Sequence, residues 1–81
     1  MAQKIYKIPL MRDIEMIDTL NGWAVGDSGV ILHFDGTMWN PFPSGTYKRL
    51  IGVSFLDSQN GWAVGEGGCI FHFDIMVVLL R

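Results

Sequence analysis

The chain has 81 residues, 49% of them hydrophobic and 17% charged, which allows one small domain able to hide only roughly 60 to 65% of its unfolded surface within itself. Its apolar content exceeds what so small a core absorbs and points to burial against other chains, because the longest apolar run, Ile75 to Leu80, is far shorter than the ~18 residues of a transmembrane helix. The net charge of −2 combines a basic start (Lys4, Lys7, Arg12) with an acidic remainder, which is not the footprint of a nucleic-acid binder.

The opening MAQKIYKIPL carries lysines but no continuous apolar segment and no small-residue cleavage site, so it does not resemble a secretory signal. A cytoplasmic location with no membrane partner is the expectation. Residues 4–9, KIYKIP, suit a strand whose lysines keep an exposed edge soluble. The next stretch, MRDIEMIDTL, could pass for an amphipathic helix through Leu10, Ile14, Ile17 and Asn21. Its counterpart later in the chain, LIGVSFL, contains glycine and β-branched residues that disfavour a helix, so a strand is predicted for both. Asn21-Gly22 reads as hairpin punctuation. The short strand WAVG follows, with Ala24 and Gly26 leaving one face nearly bare for another sheet to approach. A tight turn at Asp27-Ser28-Gly29 leads into a third strand, VILHF. After Asp35-Gly36 comes a fourth, MWNPFP, which Pro41 and Pro43 make an edge. A polar loop, SGTYKR, then connects to Leu50–Leu56, where a period of two predicts Ile51, Val53 and Phe55 on one face.

From there the sequence repeats. NGWAVGDSGVILHFD at 21–35 returns as NGWAVGEGGCIFHFD at 60–74, with eleven of fifteen positions identical. A fixed period near 40 residues marks a solenoid, propeller or array, whose units cannot bury their apolar faces alone. Four short antiparallel strands per unit is the blade of a β-propeller. The predicted fold is therefore all-β, one domain of two four-stranded blades, about 11–49 and 50–81. Residues 1–10 would act as an outer strand shared with a neighbouring blade. The tail DIMVVLLR competes with that arm for the outer-strand place in the second blade.

The pattern F-x-D-x-x-N-G-W-A-V-G-x-x-G-x-I-x-H-F-D-G followed by Trp resembles the repeat of photosystem II assembly factor YCF48-like proteins and related BNR (Asp-box) propellers. It is carried here by Asp18, Asn21, Gly22, Trp23, Ala24, Val25, Gly26, Gly29, Ile31, Asp35, Gly36 and Trp39, and again from Phe55 through Asp74. The resemblance implies a propeller in which an Asp-box turn, similar to S/T-x-D-x-G-x-T-W, braces the hairpin between third and fourth strands. It also implies an assembly factor, or a relic of a BNR-type glycosidase. His33 to Trp39 is one residue shorter than that motif, and the second copy has neither its glycine nor its tryptophan after Asp74.

Two blades leave two apolar faces uncovered. A head-to-tail contact closes when its rotation divides a full turn, so a homo-oligomer is expected. Three chains would give a six-bladed propeller, the favoured number, and four an eight-bladed one. Trp23, Val25, Gly26, Trp62, Val64 and Gly65 are the expected blade-packing residues. Ligand-binding candidates are Trp39 with Tyr47, Lys48 and Arg49 of the connecting loop, because an aromatic and cations on a loop suit a protein or glycan ligand. Repeated tryptophans also allow a lectin-like reading. No cofactor or metal is predicted. His33 and His72 lack neighbouring ligands and suit strand-level hydrogen bonds, and the lone Cys69 replaces Val30 as a small apolar residue. The arginine cluster, tyrosine nucleophile and carboxylate partner of a sialidase are not apparent, so the predicted role is a non-catalytic binding or scaffolding module.

Overall fold

The computed structural model describes residues 10–74, and the predicted arm at 4–9 and most of the tail lie outside them. The described chain is all-β, in two antiparallel sheets. The first holds β1 (Met11–Asp18), β2 (Asn21–Gly26), β3 (Ile31–Phe34) and β4 (Trp39–Pro41) in sequential order. The second holds β5 (Leu50–Asp57), β6 (Asn60–Gly65) and β7 (Ile70–Asp74). The strand prediction for 11–18 is thus observed, with its burial alternating at period two. β4 pairs only with β3 among the described strands, in keeping with Pro41 within it.

Two expectations need correction. Asn21-Gly22 and Asn60-Gly61 do not form the hairpin turns. They already lie in β2 and β6, where Gly22 pairs with Met16 and Gly61 with Phe55, and neither glycine has positive φ. The preceding aspartates build the turns instead: Leu20 N donates to Asp18 Oδ1 at 2.7 Å, and Gln59 N and Asn60 N donate to Asp57 Oδ1 at 2.8 and 3.0 Å. Such Asx geometry fixes a turn without glycine. The glycines are required by crowding across the strand pair, since a Cβ on Gly61 would lie 2.6 Å from the Phe55 ring, and one on Gly22 would strike the Met16 thioether.

The second correction concerns Ile51. The β5–β6 register shifts between Leu50 and Gly52, and the β1–β2 register shifts at the matching place, between Met11 and Asp13. A bulge flips every side chain on one side of it. Ile51 consequently points to solvent, while Leu50, Val53 and Phe55 turn toward the first sheet.

Register then assigns the faces. Asp13, Glu15, Trp23, Val25, Ile31 and His33 share the side of the first sheet that meets the second. Val53, Phe55, Ala63, Phe71 and Phe73 share the side of the second that meets the first. The two sheets, though built from one repeat, therefore stack with unlike sides together: the tryptophan side of one lies on the alanine side of the other. Trp23, Val25, Ile31, Leu50, Val53, Ala63 and Phe73 form the buried core. Trp23 lies at its centre, with ring centroids 5.5 Å from Phe55, 4.7 Å from Phe73 and 5.0 Å from Phe42.

The space between the sheets is a wedge. β5 lies directly against β1 and β2, and there Val53 N donates to Asp13 Oδ2 at 2.9 Å. Toward β4 the interval is filled by rings, with Phe42 reaching Phe71 and Phe73 at centroid separations of 6.4 and 6.0 Å.

Candidate functional site

The largest functional question is posed by the two sides that no other described residues cover. On the first sheet the outward side carries Ile14, Met16, Ala24, Leu32, Phe34 and Trp39, placed together by the pairs Ile14–Ala24, Met16–Gly22, Ala24–Leu32 and Phe34–Trp39. A recess of ≈ 510 Å³ opens on this side, lined by Met11, Ile14, Ala24, Leu32 and Trp39, with Arg12 and Asp13 at the same site. On the second sheet the outward side carries Trp62, Val64 and Ile70, with Ser54, Gly52 and His72 between them. Trp62 is 39% exposed, whereas its repeat counterpart Trp23 is 2% exposed. Of the expected blade-packing residues, Trp23 and Val25 are therefore buried between the sheets, while Trp62 and Val64 face outward. Gly26 and Gly65 serve packing within their own sheets, where a Cβ would collide with the main-chain carbonyls of Leu10 and Arg49.

The predicted ligand-binding residues are distributed over different places. Trp39 packs against Phe34, with ring centroids 5.1 Å apart and the planes tilted by 38°, and borders the recess just described. Tyr47 is almost fully exposed and lines a second hollow with Phe42, Pro43 and Ser44. The loop that carries it is fixed by its own hydroxyls: Ser44 Oγ donates to Thr46 O at 3.1 Å, and Lys48 N donates to Thr46 Oγ1 at 3.0 Å. Arg49 turns away from Tyr47 to make ion pairs with Asp27 at 3.0 Å and Glu66 at 3.2 Å.

That arginine belongs to a charge cluster at the turns after β2 and β6. Arg12 Nε donates to Asp27 Oδ1 at 2.7 Å and Arg49 Nε to the same oxygen at 3.0 Å. Asp27 and Glu66 are repeat counterparts, so Arg49 links equivalent acids of consecutive units. The hydrogen bond from Arg12 holds the Asp27 carboxyl below the usual carboxylate range and raises the Arg12 guanidinium. These side chains are largely solvated, so the cluster orients the turns more than it stabilises them.

Asp35 braces the turn between β3 and β4. Its Oδ1 accepts from Thr37 N at 2.9 Å and Met38 N at 3.0 Å, and its Oδ2 accepts from Asn40 Nδ2 at 3.0 Å. Bonds from the Met38 and Thr37 amides lower its pKa. His33 makes the strand-level bond expected of it, Nε2 to Asn21 Oδ1 at 2.8 Å, and burial lowers its pKa. His72 stacks on Trp62 at 4.8 Å. Among the described residues no group of three or more His, Cys, Asp or Glu could hold a metal ion, and no helix is long and apolar enough to cross a membrane.

Asp13 was not legible as a functional residue. Its carboxylate accepts from Ile14 N through Oδ1 and from Val53 N through Oδ2, both at 2.9 Å, and so joins equivalent amides of consecutive units. The one available signal was a carboxylate on the side of β1 that faces the core. Comparison of the chain with family models, curated proteins and solved structures returned no match.

Proposed function

We propose that this chain is a non-catalytic, self-assembling β-propeller unit that acts as a binding or scaffolding module, each sheet being one blade. Three chains would form a six-bladed ring, and four an eight-bladed one. The observation that carries the reading is the correspondence between open and closed surfaces. Each outward apolar side is the repeat counterpart of a side that is already packed inside the chain. The wedge between the sheets, tight at the first strands and filled by rings toward the fourth, supports a radial arrangement.

Leaving such surfaces in water costs apolar burial on the order of 25 cal/mol per Å², and a second copy supplies a fitting cover. Native mass spectrometry tests this directly, with a complex of three times 9.1 kDa expected. A folded monomer, or a dimer as the largest species, overturns it.

A glycan-binding reading has one observation in its favour, the half-exposed Trp39 at the same recess as Arg12. Aromatic faces with neighbouring polar groups suit sugar recognition. That reading requires the recess to stay open, so the two proposals compete for the same surface. Glycan binding abolished by Trp39→Ala in an otherwise monomeric protein would favour the lectin.

A further inference from the structure

Resting on the self-assembly reading, we infer that the partner contact is head to tail. The Trp62–Val64–Ile70 side of one copy seats on the Ile14–Met16–Ala24–Leu32 side of the next, in the docking that already joins the two sheets of a single chain. Residue by residue, Trp62 takes the place of Trp23, Val64 that of Val25 and Ile70 that of Ile31. On the receiving side, Ile14, Met16, Ala24 and Leu32 take the places of Val53, Phe55, Ala63 and Phe71. The internal contact is therefore a worked template for the external one.

Three observations select a second copy as occupant. First, the outward side of the second sheet is less charged than its buried counterpart. Gly52 and Ser54 stand where the packed side has Asp13 and Glu15. A surface destined for water gains charged residues, whereas here the acids are confined to the end row, where Asp57 and Asp74 flank Asn60.

Second, the main-chain amide at the proposed contact already has its partner. In the internal junction the Asp13 carboxylate crosses to the Val53 amide. In the external one the corresponding amide is Ile14 N, which donates to its own Asp13 at 2.9 Å. Gly52 therefore needs no carboxylate, and with one it would place two acids at a single buried point.

Third, the exposures match in reverse. Val53 is 7% exposed and its counterpart Ile14 is 55% exposed, as Trp23 and Trp62 differ on the opposite side. A two-fold contact would set like sides together, two tryptophan surfaces or two alanine surfaces. The described residues show neither pairing, whereas the unlike pairing is present once.

Two variants decide it. Ile14→Glu blocks only the receiving side and Trp62→Glu only the inserting side; both positions are partly exposed, and circular dichroism verifies the β signal. Each alone should lose the wild-type oligomer, with association weakened on the order of 100-fold. An equimolar mixture still has one intact pair of complementary sides, so it should give a 1:1 complex of twice the chain mass and nothing larger. A stable dimer of either variant alone, a mixture of folded variants that stays monomeric, or variants that keep the wild-type oligomer would overturn the head-to-tail contact.

If either variant fails to fold, cross-linking gives an independent reading. In a Cys69→Val background, Met16→Cys with Trp62→Cys places thiols at positions whose counterparts, Phe55 and Trp23, have ring centroids 5.5 Å apart. Oxidation should yield a ladder of multiples, and Trp62→Cys alone should yield no covalent dimer. The absence of a ladder in an assembled protein, or a dimer from the single substitution, rejects the inference. A monomeric wild-type chain is a separate outcome, which rejects self-assembly itself.

Discussion

Trp23 and Trp62 are the same residue in the same hexapeptide, yet replacing them should have very different costs. Trp23→Ala removes a side chain 2% exposed that meets Phe42, Phe55 and Phe73. Aromatic-to-alanine changes in a core cost ~3–5 kcal/mol, and each ring pair carries a further share of about 0.5–1.5 kcal/mol beyond burial. A domain of this size has a total stability of roughly 4–12 kcal/mol, so this variant should be largely unfolded or close to it. Trp62→Ala removes a ring 39% exposed whose recorded ring neighbour is His72, and in the separated chain about 1 kcal/mol is expected, within the ordinary range for point substitutions. Urea unfolding followed by circular dichroism over a dilution series measures both. At the lowest concentration Trp23→Ala should lower the midpoint several-fold more than Trp62→Ala. As concentration rises the Trp62 penalty should grow, because association stabilises only the wild type. Equal penalties at high dilution would refute the assignment of Trp62 to an uncovered side. A Trp62 penalty independent of concentration would refute its role in association.

Asp13→Ala should cost ~1–3 kcal/mol by leaving the Val53 amide without its acceptor, with faster hydrogen exchange at Val53. Asp13→Asn keeps one carbonyl oxygen and should lose less. Gly65→Ala should destabilise through collision with the Arg49 carbonyl by ~1–3 kcal/mol, whereas at Gly45 a Cβ meets nothing within 4 Å and only its φ of +78° resists alanine, at ~1 kcal/mol; thermal melts compare the two. Ser28 has φ +64° where the second copy has Gly67 at +68°, so Ser28→Gly should stabilise by a few tenths to about 1 kcal/mol; a lower Tm would contradict this. Stability should fall with acidification in two stages. Burial lowers the His33 pKa, so the unfolded chain takes up a proton first as pH drops past the ordinary value of 6.5. Asp27, Asp35 and Asp57 are depressed, so their contribution is present above the ordinary 3.8 and lost as pH falls through their folded values. A Tm that rises between pH 7 and 5 would refute the first stage, and His33→Gln should flatten it.

Much of the architecture was legible because the repeat supplied two readings of every strand. MRDIEMID alone was ambiguous between helix and strand; LIGVSFLD was not, and the shared register transferred the answer. What escaped was local. Asn-Gly carries a strong hairpin signal, but the aspartates at 18 and 57 had taken over the turns, so the glycines were free to sit under Met16 and Phe55. The bulge that turns Ile51 outward leaves no mark in an alternating pattern, since one extra residue changes the phase and not the composition. The division of Trp23 and Trp62 between a buried and an open side was likewise invisible, because identical hexapeptides have identical local preferences and only the order of stacking distinguishes them. Among the site residues, Trp39 and the 47–49 loop were visible as types, but residue type does not show that Trp39 and Tyr47 line different hollows or that Arg49 pairs with Asp27 and Glu66.

The rings between the sheets also act as a gauge of angle. Their size at the wide end fixes how far one sheet is rotated from the next, and a head-to-tail contact that repeats this rotation closes after a number of steps set by it alone. About 60° per sheet ends in six and about 45° in eight, while a rotation that divides no full turn gives an open helical filament. In the proposed assembly Phe42 and Phe71, far from either open side, would thereby govern whether copies of this chain count to a finite number. Trimming them to leucine would narrow the interval and shift the population toward larger rings or fibres, a change visible by negative-stain electron microscopy. The packing of a few rings inside one small chain would then determine whether its product is a closed particle or an endless one.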